Sequence, residues 1–124
     1  MPYEVGFNEH DLLVEVIFLG RLTAQELRDS TCEAFELANE HNTNRYLVDL
    51  VETEPSVSLM AIYDLPNHQY SELQVDRNSR IAVVRPRSER ALEVAHFYET
   101  ACLNSGWQAH VFATRQEALD WLFV

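Results

Sequence analysis

Two runs decide the fold: Tyr46-Leu-Val-Asp-Leu-Val51 and Arg80-Ile-Ala-Val-Val-Arg85. Each is short and mostly apolar, with the β-branched enrichment and length of a strand rather than a helix. Little polar alternation is left in either run, which is the pattern of central strands covered on both faces. Glu52 to Pro55 breaks the first run, and Ser56 then reads as the N-cap of a helix through Leu65, which Pro66 ends. Ser88 reads as the cap of a longer helix after the second run, to about Asn104, with Ala91, Val94, Tyr98 and Ala101 as its core stripe. Gly106 closes that helix in the left-handed position such ends favour.

Outward from this centre, Tyr3 to Phe7 alternates, Asn8 to Asp11 supplies turn residues, and Leu12 to Leu19 is rich in Val, Ile and Phe, so a hairpin is expected. Thr23-Ala-Gln-Glu26 is a capping box for a helix to about Glu40. Trp107 to Ala113 alternates as a last strand, with Phe112 facing away from Trp107, Ala109 and Val111. Thr114-Arg-Gln-Glu117 is a second capping box, opening a C-terminal helix. Asn67 to Ser79 is polar and ambiguous, with a frayed helical turn as the reading it offers. The order β-β-α-β-α-β-α-β-α predicts a single α/β domain over residues 1–124, with a mixed, mostly parallel sheet and helices packed on it.

Composition narrows function by exclusion. The 124 residues are too few for two domains, and 47% hydrophobic with 23% charged residues is globular composition. No run approaches a membrane span, the first residues lack the basic flank of a secretory signal, and a cytoplasmic protein is expected. A net charge of −11 speaks against nucleic acid as a partner. The chain has no lysine, which removes Schiff-base chemistry and a Walker-type phosphate lysine. Gly6, Gly20 and Gly106 make no phosphate cradle, the serines include no GxSxG elbow, and no histidine pair has metal-ligand spacing. Cys32 and Cys102 read as ordinary thiols, and Asp49 as a carboxylate accepting backbone hydrogen bonds. Neither an enzyme, a metal nor a cofactor is expected.

The element order, Tyr46-Leu-Val-Asp-Leu50 and the ending Val111-Phe-Ala-Thr-Arg-Gln-Glu-Ala-Leu-Asp-Trp-Leu122 resemble the SpoIIAA-like (STAS-type) family over nearly the whole chain. The resemblance implies a non-enzymatic regulatory module that binds a protein partner, similar to anti-sigma-factor antagonists. Those members are phosphorylated on a serine at the start of the helix after the third strand. The matching segment is Glu54-Pro-Ser-Val-Ser-Leu59, which makes Ser56 and Ser58 the phosphorylation candidates. The Asp and Gly that flank the signalling serine are missing, which places the chain in the uncharacterised branch. The alternative is a carrier of a small ligand or lipid.

Two surfaces are candidate binding sites. Arg85, Arg87 and Ser88 sit where the helix dipole and free amides favour an anion or an acidic partner. In the helix after Ser56, Leu59, Ile62 and Tyr63 suit the core, leaving Val57, Met60 and Ala61 as an apolar patch for a partner, a lipid or a second subunit in a homodimer.

Overall fold

Strand order in the sheet follows chain order. The computed structural model describes residues 2–54 and 56–124. Its strands are β1 (Tyr3–Asn8), β2 (Leu13–Gly20), β3 (Arg45–Thr53), β4 (Arg80–Val84) and β5 (Gln108–Phe112). They lie side by side as β1-β2-β3-β4-β5, with β1 antiparallel to β2 and every later pair parallel. When parallel strands are laid down consecutively, right-handed crossovers return on the same side each time. The helices of those crossovers therefore share one face: α1 (Ala24–Glu40), the segment containing α2 (Leu59–Asp64) and α3 (Tyr70–Glu72), and α4 (Glu89–Asn104). Only α5 (Arg115–Leu122) covers the opposite face.

Alternation along the strands divides the core accordingly. Val14, Val16, Phe18, Ile81, Val83, Trp107 and Ala109 pack with Leu27, Ala34, Ile62, Tyr70 and Cys102 on the crossover side. Leu13, Leu47, Ala82 and Val84 meet Ala118 and Leu122 on the α5 side. Tyr46 and Leu47 are buried, but β3 from Val48 onward is mostly half-buried. The two-sided burial expected of that run thus holds only for its first half, since α5 is short and the crossover side is not filled there.

Three local expectations are corrected. Ser58, not Ser56, caps α2, accepting a hydrogen bond from the Ala61 amide at 3.2 Å. Pro66 does not end the helical segment. A π turn over Leu65–Gln69 carries it to α3, with the Tyr70 amide donating to the Leu65 carbonyl. Proline has no N–H and crowds the preceding turn, so a wider turn accommodates it. Side chains then take up the displaced carbonyls: Asn67 Nδ2 donates to Tyr63 O at 2.9 Å, and Trp107 Nε1 to Pro66 O at 2.9 Å. Finally, Thr114 accepts from the Glu117 amide without the reciprocal bond that completes the box at Thr23 and Glu26.

The ends of α5 are fixed by charge. At its start Arg115 forms a bidentate pair with Glu15 of β2, at 2.8 and 3.1 Å. At its finish Arg45 Nε donates to Leu122 O and Arg80 Nη1 to Trp121 O, at 2.8 and 2.7 Å, where the helix dipole favours cations.

Candidate functional site

Between the crossover face of the sheet and α1, α2 and α4 lies a cavity of about 150 Å³. Its floor is a row of valines from adjacent strands, since Val16 pairs in register with Val48 and Val48 with Val83. The walls are thin because the facing helices present small side chains, Ala34 from α1 and Ala91 and Ala95 from α4. Helices held apart by the sheet's strand spacing, with alanines at these inward positions, leave space that packing does not fill. Ile62 and Leu65 close it from above. At the carboxyl ends of the strands the lining continues through Thr53, Glu54, Ser56, Val57 and Pro86, and Glu54 and Ser56 are exposed, so the cavity meets the surface there.

Most of the hydroxyls in this lining are already committed. Ser30 and Thr31 donate to Leu27 O, Thr53 to Phe18 O, and Ser56 to Leu22 O. Ser56 also accepts from the Leu22 amide, both contacts being 2.8 Å, so it clamps the segment after β3 to the segment before α1. A phosphate on Ser56 would break that clamp, whereas Ser58 is exposed and its hydroxyl serves only the α2 cap.

Tyr70 and Tyr98 also line the cavity, and their hydroxyl oxygens are 2.6 Å apart. Burial raises both phenols above the ordinary tyrosine value, so each keeps its proton. Burial likewise pushes the Cys102 thiol, beside Tyr98, up to about 12, which keeps it an unreactive thiol.

The strand-end arginines divide in what they are free to do. Arg87 Nη1 is 2.5 Å from Glu52 Oε1, so its charge is offset across the strand ends. Ser88 caps α4 through the Ala91 amide. Arg85 is exposed, and its amide donates to Phe112 O. Between the two arginines, buried Pro86 borders the cavity.

The expected apolar patch is rearranged. Val57 packs on the core and lines the cavity, and Ala61 is half-buried. Leu59 (51% exposed), Met60 (66%) and Tyr63 (44%) form the outer surface instead. The reason is that α2 packs chiefly on α4 and the π turn and does not lie flat on the sheet. Leu59 and Tyr63 thereby lose the core contact their spacing suggests.

Elsewhere, Asp49 accepts from the Val51 amide at 2.9 Å, the structural role expected of it. Among the described residues no group of three or more His, Cys, Asp and Glu is placed to hold a metal ion, and no helix is long and apolar enough to cross a membrane. A second recess of about 380 Å³ at the amino ends of β3 and β4 is polar; Asn44 bonds Asp76 there at 3.4 Å, while the hydroxyl of buried Ser79 has no hydrogen-bond partner among the described residues.

A sheet with one antiparallel edge, three crossovers on one face and a terminal helix on the other is the architecture that comparison with known proteins also finds. The SpoIIAA-like family model matches residues 13–123. The chain belongs to the SpoIIAA-like family. It is similar to the crystal structure of an uncharacterized DUF3478-family protein with a SpoIIAA-like fold from Shewanella loihica PV-4, with a TM-score of 0.61 and 20% sequence identity. That likeness covers 97% of this chain and 91% of the other. No curated protein matches the chain. What the sequence did not disclose about this SpoIIAA-like domain is the cavity. Its valines and alanines read as ordinary core, Ser56 and Val57 as surface, and Tyr70 falls in the ambiguous polar segment.

Proposed function

We propose that this SpoIIAA-like chain is a non-enzymatic binding domain whose cavity takes a small, largely apolar ligand. The supporting observation is the cavity, bounded by a valine floor and alanine walls and open at the carboxyl ends of the strands. Open α/β sheets favour ligands at that edge. A dry apolar cavity of roughly 150 Å³ is known to hold benzene, whereas drug-sized ligands need about 300 Å³ or more. The ligand is therefore of benzene to indole size, or one end of a longer chain. Nothing in the lining pairs a nucleophile with a base: the serine and threonine hydroxyls are bonded to backbone and the phenols are protonated. The test is an amide-resolved NMR titration of the full chain with toluene. Shifts clustered on Val16, Val48, Val83 and Ala95 are expected; no saturable shift there would sink the reading.

A second reading, a protein-interaction domain, is favoured by the contiguous exposure of Leu59, Met60 and Tyr63 on α2. Its simplest form is a homodimer through that face. Light scattering then gives twice the chain mass for the native protein and the monomer mass for Met60→Glu. A native monomer at high concentration rules the dimer out.

A further inference from the structure

The polar inventory of the cavity is unbalanced in a way that describes its ligand. With Ser30, Thr31, Thr53 and Ser56 committed to backbone carbonyls, the remaining hydroxyls of the deep lining are the phenols of Tyr46, whose charged neighbour is Asp76, and of Tyr70 and Tyr98. Tyr70 and Tyr98 touch each other, and Tyr98 also neighbours the Cys102 thiol. The two phenols of this pair bring two protons to one contact, so one proton and several lone pairs stay uncommitted. A buried polar group left this way favours a partner strongly, because it has already lost its water.

Charge completes the description. Among the described residues no arginine or histidine lines the cavity, and the one ionisable carboxylate, Glu54, lies exposed at the rim 3.6 Å from Arg21. An anionic head drawn inside would be desolvated without a counter-charge, and a cationic one would find no buried carboxylate; both are costly.

We infer that the ligand of this cavity is uncharged and carries one hydrogen-bonding head, which the Tyr70–Tyr98 hydroxyl pair holds while the apolar body lies on the valine floor. The inference rests on the cavity-binding reading and adds the ligand's polarity and its anchoring residues. It separates this site from one for fatty-acid carboxylates, phosphates or nucleotides.

Three probes of similar size test it on the full chain: toluene, phenol and benzoate, titrated by amide-resolved NMR. Phenol is expected to bind at least as tightly as toluene, although water solvates phenol better, and benzoate at least a hundredfold more weakly. In Tyr70→Phe/Tyr98→Phe both members of the pair are removed together in nearly the same shape, a change that preserves folding better than removing one. There phenol should weaken about tenfold while toluene is unchanged. Benzoate binding as tightly as phenol overturns the inference. So does toluene binding with phenol excluded, which leaves the cavity reading standing. If none of the three binds, both fall. The native phenol-to-toluene ratio decides the matter even if the double variant does not fold.

Discussion

Adding methyl groups to the space between the valine floor and α4 should stabilise the protein and weaken ligand binding together. Val48 of β3 and Val94 of α4 both border the cavity and are half-buried. Val48→Ile/Val94→Ile adds one methylene from each side and keeps the β-branching at both sites. By the relation of roughly 24 cal/mol per Å³, leaving 150 Å³ empty corresponds to about 3.6 kcal/mol, an upper bound because the cavity meets solvent at one end. Two buried methylenes at about 0.8 kcal/mol each recover about 1.5 kcal/mol of it. For a domain of 124 residues that is a rise in Tm of about 5–9 °C. Urea and thermal unfolding followed by circular dichroism measure the gain, and a toluene titration should show at least tenfold loss. The alternative is decisive in sign, because overpacking a filled core costs about 1–3 kcal/mol. A variant less stable than the parent by 1 kcal/mol or more would refute the cavity.

Other expectations follow from individual contacts. Ser56→Ala removes two hydrogen bonds and leaves the Leu22 amide and carbonyl without their partner, at a cost of about 1–2 kcal/mol; hydrogen exchange at Leu22 should accelerate about tenfold or more. The Arg115 guanidinium hydrogen-bonded to Glu15 holds that carboxyl below its usual range. A carboxyl lowered in the folded state contributes stability above the unfolded value near 4.5 and loses it as pH falls through the folded one. Glu15→Gln should therefore lower stability at neutral pH by about 1 kcal/mol, read as a lower urea midpoint, and flatten its decline below about pH 4.5. Arg80→Ala removes the bond to Trp121 O and the cation over the Trp121 ring, 5.3 Å from its centroid. It should fray α5 and cost about 1–2 kcal/mol, seen as a loss of near-ultraviolet signal from Trp121 before global unfolding.

Local chemistry made much of this fold legible. Thr23 with Glu26, Ser88 and Gly106 mark helix ends through contacts spanning a few residues, and the apolar runs at Tyr46 and Arg80 are strands because only a covered sheet suits them. The segment after Ser56 is not legible in this way. Pro66 stops an ordinary helix, and only the widened turn, steadied by Asn67 and by Trp107 from a distant strand, lets the helical path continue.

By itself, then, the sequence determined the strands, the order of strands and crossovers and the family, because capping, periodicity and turn chemistry act over a few residues. It also determined the absence of lysine and the acidic balance, which no fold can alter. The tertiary structure decided what those elements enclose. Val16, Val48 and Val83 form one floor only through strand register, and Ala34 and Ala95 leave a cavity only because α1 and α4 stand over the same face. Tyr70 and Tyr98, 28 positions apart, become a hydrogen-bonded pair only when the π turn and α4 bring them within 2.6 Å. Unfilled volume and paired hydroxyls belong to the spaces between elements, and no local pattern encodes them.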